Sequence, residues 1–222
     1  MPVLSHPNSK LAVLAGSRVF STTVYCLAGM GRKEVGEEIE EYYPIPKIGL
    51  YDNETGKGFL FNSESGDRER AFFKHIEGLP VMEYLYQFWE GNVRVDVREF
   101  VWNDVFYQIF KLSEAAEGQT VNILETFQFA ANPVSGRVEL AADGYPPIIV
   151  AAYEDHWVAA TCTGMNEYYV DDVWQDPTLG YFDETKNQTS NETTNIGIGT
   201  VSYTHLRAHE TSLHLVCRLL LE

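Results

Sequence analysis

Short β-forming runs divided by turn residues recur along the chain, and hardly any stretch keeps the apolar spacing of a helix for more than two turns. Val93, Val95 and Val97 alternate with charged residues, which is typical of a strand with one buried face and one wet face. The pattern therefore predicts an all-β fold, a large antiparallel β-sandwich of the supersandwich type.

Turn chemistry indicates which of the predicted strands are neighbours. Gly16-Ser17 and the turn-rich segment 52–56 each separate two β-forming runs, and we predict an antiparallel hairpin at both places. The strand around Val95, residues 105–112 and residues 120–129 are predicted to be three neighbouring antiparallel strands. Three later runs continue this series in the prediction: residues 137–141, 148–153 and 157–163.

Two polar segments interrupt the strand pattern. Residues 64–77 are charged and end in an apolar cluster, and the sequence leaves a helical turn and a long loop equally open there. Residues 183–195 are almost wholly polar, which predicts a flexible loop.

Composition is that of a folded protein. The 222 residues are 45% hydrophobic and 13% aromatic, which excludes a disordered or low-complexity chain. A compact chain of this length buries about 70% of its unfolded surface, so its core needs no disulfide or metal cross-links to be stable. Cys26, Cys162 and Cys217 lie far apart without C-x-x-C spacing, which argues against a zinc ribbon, a redox pair and a disulfide-dense secreted scaffold.

Charge narrows the range of partners. The formal net charge is -16, and no basic stripe is present that could neutralise the phosphates of a nucleic acid. Neither nucleic acid nor an anionic membrane is an expected partner. No stretch of eighteen apolar residues and no secretory leader is visible, so the predicted location is the cytoplasm.

The last part of the chain differs in composition from the rest. Residues 201–222 hold three of the six histidines but only two of the 32 acidic residues. From Ser202 onward the sequence closely resembles the translation of a synthetic sequencing adapter, as found in reading frames assembled from fragmentary environmental DNA. We predict that residues 1–200 are a β-sandwich domain truncated at its C-terminal end, and that residues 201–222 are an artefactual tail.

No catalytic or metal site is complete in the sequence. No serine lies in a Gly-x-Ser-x-Gly elbow, and adjacent acids such as Glu37-Glu38 and Asp171-Asp172 are typical of solvated surface. We therefore assign no catalytic residue, no metal ligand and no cofactor.

Aromatic residues give the only candidates for ligand contact. Tyr168, Tyr169 and Trp174 cluster in a segment that also contains Asp171 and Asp176, and such a mixture can stack on sugar rings and bind their hydroxyls. The alternative, which we favour, is that the three rings pack the edge of the sandwich. Oligosaccharide contact by these residues is the functional hypothesis.

The order of strands is similar to that of the N-terminal β-sandwich domain of glucoamylase-type enzymes, glycoside hydrolase family 15. The likeness covers residues 8–200 and includes a strand, the polar turn Glu117-Gly118-Gln119-Thr120 and a strand that ends in an aromatic pair. The other segments in a similar order are residues 8–13, 19–25, 137–153, 156–163 and 171–199, the last with its Gly-Ile-Gly.

The resemblance implies an enzyme that hydrolyses terminal α-linked glucose, with two catalytic Glu residues in a downstream (α/α) barrel that this chain lacks. The fragment would then be a non-catalytic sandwich domain whose partner is the missing C-terminal catalytic domain, with oligosaccharide as a further ligand. The alternatives are a free-standing carbohydrate-binding module and a purely structural sandwich.

Overall fold

In a computed structural model, most of the described residues of the chain lie in β-strands. The structure describes residues 3–7, 9, 11–14, 23–26, 32–35, 38–41, 44–61, 70–88, 93–114, 119–129, 134–139, 147–153, 156–171, 174–182, 190–193, 195–203 and 214–221. Within these ranges no helix is long and apolar enough to cross a membrane.

The strands are numbered in chain order. They are β1 (Val3–Ser5), β2 (Leu11–Leu14), β3 (Thr23–Cys26), β4 (Arg32–Val35), β5 (Glu38–Glu41), β6 (Pro44–Asp52), β7 (Lys57–Leu60), β8 (Arg70–Ile76), β9 (Leu79–Phe88), β10 (Val93–Trp102), β11 (Val105–Glu114), β12 (Thr120–Phe129), β13 (Val134–Glu139), β14 (Ile148–Tyr153), β15 (His156–Cys162), β16 (Glu167–Asp171), β17 (Ser190–Thr193), β18 (Asn195–Tyr203) and β19 (His214–Leu221). A short 3-10 helix, Pro177–Leu179, lies between β16 and β17.

These strands form four antiparallel sheets. The nine-stranded sheet has the order β17-β13-β14-β15-β19-β11-β10-β9-β8, and the five-stranded sheet has the order β16-β18-β12-β6-β7. A three-stranded sheet, β1-β2-β3, and a two-stranded sheet, β4-β5, complete the described structure. The predicted all-β sandwich is therefore confirmed.

The main core lies between the two large sheets. Phe61, which follows β7, packs edge-on against Tyr86, Phe88 and Phe110 of the nine-stranded sheet, with ring centroids 4.8, 5.4 and 5.9 Å away. The thiol of Cys162 likewise reaches from β15 to the Gly199 carbonyl of β18. Contacts of this kind join the two layers into one hydrophobic core.

The strand β10 shows why one face of the larger sheet is buried and the other is wet. Val93, Val95, Val97 and Val101 are buried in the core, whereas the residues between them point to the other face. Glu99 occupies a buried position in this series, and its Oε1 accepts a hydrogen bond of 2.8 Å from Nε2 of Gln108, its cross-strand partner. The alternation predicted for this strand is confirmed.

The neighbours predicted for β12 need a correction. β12 does not pair with β11 but lies between β6 and β18 in the other sheet. The physical reason is burial on both faces, because residues 121–127 are all buried, as expected for a central strand that is covered on both sides. The predicted β2–β3 and β6–β7 hairpins pair as expected, and β13, β14 and β15 form the predicted meander.

Both polar segments contain strands that were not predicted. β8 occupies part of residues 64–77, where neither a helical turn nor a long loop is right, and it joins β9 through Glu77 and Gly78. Their φ values of 52° and 86° allow a two-residue hairpin turn. β17 similarly lies within the segment 183–195, and residues 183–189 and 194 are outside the described residues.

The predicted tail also contributes strands. Residues 201–203 complete β18, and β19 lies inside the nine-stranded sheet between β11 and β15. A place in a sheet does not test where a sequence came from, so the interpretation of residues 201–222 as an artefactual tail stays a prediction.

Candidate functional site

The three predicted contact residues do not share one surface. Tyr168 and Tyr169 are consecutive on β16 and therefore point to opposite faces of the five-stranded sheet. Tyr168 is partly buried and packs against the main core, whereas Tyr169 is fully buried on the outer side with Leu124 and Phe182. Trp174 is the only one of the three with an exposed side chain.

Tyr169 is fixed within the outer layer. Its ring meets that of Phe182 at 4.7 Å in an edge-on arrangement, and the backbone N–H of Gln175 donates to its hydroxyl at 3.4 Å. Burial raises the pKa of Tyr169 to about 12, against the opposing effect of the hydrogen bond from Gln175, while the nearby charge of Asp171 adds to the rise. The phenol therefore serves as a buried packing group.

Trp174 is held against the sheet and remains 36% exposed. Its Nε1 donates to the Thr126 hydroxyl at 3.3 Å, and Nζ of Lys47 lies 4.8 Å from the ring centroid. Thr126 and Lys47 are cross-strand partners on β12 and β6, so two neighbouring strands fix the ring. Lys47 occupies one face of the indole, and a sugar ring could stack only on the other.

Residues 174–182 cover the outer face of the five-stranded sheet. Asp176 caps the 3-10 helix by accepting from the N–H and the hydroxyl of Thr178, at 2.9 and 2.8 Å, and Gly180 ends it with a left-handed φ of 78°. The helix lies so close to the sheet that a Cβ on Gly49 would overlap the Pro177 carbonyl. We name residues 174–182 the covering segment.

The covering segment is also bonded to the middle of the sheet. Nδ2 of Asn122, on the central strand β12, donates to the Gly180 carbonyl at 2.8 Å, and both groups are buried. The carbonyl stands at the end of the short helix, where burial removes it from water. The bond from Asn122 gives it a hydrogen-bond partner.

A second surface, on the outer face of β8–β11, is open and charged. A groove of about 400 Å³ lies there, lined by apolar residues and by five charged ones: Glu83, Arg94, Asp96, Arg98 and Lys111. We name this the charged groove. Its lining carries three cations and two anions, a local excess of positive charge in a protein whose formal net charge is -16.

Ion pairs organise the charged groove. Glu83 lies 2.6 Å from Nε of Arg98 on β10 and 2.5 Å from Nζ of Lys74 on β8, so one carboxylate joins three strands. Arg94 lies 3.7 Å from Asp96, whose cross-strand partner is Lys111. The two carboxylates are therefore engaged by basic side chains, and the groove offers guanidinium and ammonium donors to a hydroxyl-rich or anionic ligand.

Among the residues that the structure describes, no three His, Cys, Asp or Glu side chains are grouped so that they could hold a metal ion.

Sequence reasoning missed both the charged groove and the covering segment. The alternation on β10 placed Arg94, Asp96 and Arg98 on a wet face, but the groove also depends on the registers of β9 and β11. The covering segment did carry a signal, because Asp176, Pro177 and Gly180 stand at the cap, first-turn and C-cap positions of a short helix.

No family model and no curated protein matches the sequence. Among solved structures, the fold is similar to that of a bacterial glucoamylase complexed with acarbose, with a TM-score of 0.61 and 15% sequence identity. The chain has a glucoamylase-related fold. The similarity covers 96% of this chain but only 30% of the glucoamylase chain, so this protein corresponds to less than a third of that enzyme.

Proposed function

We propose that the chain is the non-catalytic N-terminal sandwich domain of a carbohydrate-active enzyme that hydrolyses terminal α-glucosidic bonds. The similarity to a glucoamylase supports the proposal, because it covers 96% of this chain but only 30% of that enzyme, as expected for one domain of a longer protein. The catalytic helical barrel would be the partner of this domain and would lie outside the chain.

The charge arrangement agrees with a non-catalytic role. Glycoside hydrolysis requires two carboxyl groups placed on either side of the scissile bond. The two carboxylates of the charged groove, Glu83 and Asp96, instead face basic partners on their own or neighbouring strands. Such an arrangement supports binding or packing better than acid and base catalysis.

The test begins with the source DNA. Amplification past codon 200 followed by expression of the longer product should give a protein that releases glucose from maltooligosaccharides. The 222-residue chain, assayed beside it at equal concentration, should release none. Glucose release by the shorter chain would contradict a non-catalytic role, and a natural stop codon close to codon 200 would contradict the accessory-domain proposal.

The second candidate is a free-standing carbohydrate-binding module, and Trp174 is the observation in its favour. Its indole is partly exposed and fixed by Thr126 and Lys47, as a stacking platform requires. On this hypothesis maltooligosaccharides change the tryptophan fluorescence of the isolated chain, and Trp174→Ala removes the change. Trp102→Ala is the matched control. Trp102 is also exposed, but it lies on β10 of the nine-stranded sheet, with its ring beside that of His6. Equal loss in both variants would contradict a site at Trp174.

A further inference from the structure

The nine-stranded sheet consists of two groups of strands that β19 alone joins within the described residues. On one side, β11 pairs with β10 and β19; on the other, β15 pairs with β14 and β19. No pairing between β11 and β15 is present among the described strands. Without β19, both strands would have an unpaired edge toward the middle of the sheet.

The space between these two edges fits one strand. β19 runs antiparallel to both neighbours, with register partners from Val105 to Lys111 on β11 and from Val158 to Cys162 on β15. Adjacent strands lie about 4.8 Å apart, so β11 and β15 are about 10 Å apart with β19 between them. If β19 were absent, the N–H and C=O groups of both edges would lack partners. Hydrogen bonds to these groups are the main interaction that would hold a strand there.

The register also states what such a strand needs. Leu215 and Leu219 lie opposite Phe110 and Phe106, which are buried in the main core, and Leu219 also lies opposite buried Ala160. The register places residues 215, 217 and 219 opposite buried residues of β11 and β15, and the sequence has Leu, Cys and Leu there. The requirement is apolar residues at every second position, over about eight residues.

We propose that the space between β11 and β15 is a strand-acceptor site for one extended segment of the chain that follows β18, occupied in this protein by residues 214–221. The segment is recognised by its backbone and its apolar alternation, and not by its particular sequence. This explains why a segment that resembles a translated adapter takes a central place in the sheet. The proposal does not depend on the function proposed above.

The native cysteines provide a first test on the full chain. Cys162 on β15 and Cys217 on β19 are direct register partners, and directly opposed residues of antiparallel strands lie within the Cα separation of a disulfide. Diamide accepts two electrons and two protons from the two thiols, and one S–S bond forms. We expect peptide mapping to recover Cys162 linked to Cys217, with Cys26 unlinked. Recovery of Cys217 unlinked, or linked to Cys26, would overturn the proposed occupancy.

A second test opens the site in the full chain. Leu219→Pro removes a ladder N–H in the middle of β19 and should release the strand. We expect a fluorescein-labelled peptide with the sequence of residues 214–221 to bind this variant at least about tenfold more tightly than it binds the wild-type chain, whose site is occupied. A peptide of alternating threonine and valine should also bind, and the natural peptide carrying the same proline should not.

Each outcome of the peptide experiment is decisive. Equal binding to the variant and the wild-type chain, or binding of the proline-containing peptide, would overturn the proposal. If the variant does not fold alone, it is refolded with each peptide, and the circular dichroism spectrum is compared with that of the wild-type chain. Recovery of the β-sheet spectrum only with the two strand-forming peptides supports a strand-acceptor site, whereas no recovery with either would contradict it.

Discussion

The outer faces of the two large sheets differ in how far they are covered by other parts of the chain. On the five-stranded sheet the covering segment lies directly on the strands, and the central strand β12 is buried throughout residues 121–127. On the nine-stranded sheet the charged groove stays open, and β10 alternates between valines in the core and charged residues in water. The comparison shows that a strand's sequence records what covers it, because burial on one face or on both decides which residues it can carry.

The largest effect should come from filling the close contact under the covering segment. A Cβ on Gly49 would overlap the backbone of Pro177, so Gly49→Ala forces the segment away from the sheet and should cost about 3 kcal/mol of unfolding free energy. Gly78→Ala is the control, because its Cβ meets open space and only its φ of 86° opposes alanine, at about 1 kcal/mol. Urea unfolding measures both. Equal costs would mean that the covering segment is not seated on β6.

Alkaline pH should lower the unfolding free energy of the protein through one residue of the covered face, Tyr169. Burial raises the pKa of Tyr169 to about 12, whereas an unfolded tyrosine titrates near pH 10. Below about pH 10 the phenol is protonated in both the folded and the unfolded state, so Tyr169 causes no loss of stability. Between about pH 10 and 12 the phenol loses its proton in the unfolded state only, and the folded state becomes less stable relative to it. The unfolding free energy should therefore fall by about 2 kcal/mol by pH 12 through this residue.

Tyr169→Phe is the control for this alkaline loss, since it keeps the ring in the layer with Leu124 and Phe182 but has no proton to lose. The pH dependence of the urea midpoint should be shallower in this variant between pH 10 and 12. Parallel curves for the variant and the wild-type chain would show that other groups cause the loss.

The smallest effect should come from the charged groove. Glu83→Gln removes the charge that joins Lys74 and Arg98, but the side chains of these two residues are 42% and 56% exposed. Solvent and salt screen such pairs, so we expect a loss of less than about 1 kcal/mol that shrinks further in high salt. A loss as large as that of Gly49→Ala, measured in the same urea experiment, would mean that this face is as tightly packed as the covered one.

Much of the strand content and several local hairpins could be predicted from the sequence, but the partners of β12 could not. Alternation predicted β10 correctly, and turn residues predicted the β6–β7 hairpin. The pairing of β12 was wrong because a strand buried on both faces has no alternation, and proximity in sequence then becomes a poor guide to its sheet. β8 was missed because its phenylalanines lie at a sheet edge, where both faces are exposed.

The candidate site was less predictable than the fold. Consecutive residues on a strand point to opposite faces, so Tyr168 and Tyr169 could not both have belonged to one surface once β16 was recognised as a strand. The charged groove draws side chains from four strands, and only their registers bring Lys74, Glu83 and Arg98 together. Glu99 similarly reads as part of a charged run, although its partner Gln108 allows it to be buried.

The order of strands also has a consequence for the time course of folding. β8, β9, β10 and β11 are consecutive in the chain and pair with one another across short connections, so the loops between them close at little entropic cost. The five-stranded sheet instead collects β6 and β7, then β12, then β16 and β18, from distant parts of the chain. Distant pairings form slowly, and we expect the meander β8–β11 to gain protection from hydrogen exchange first, with β12 protected only when the sandwich closes.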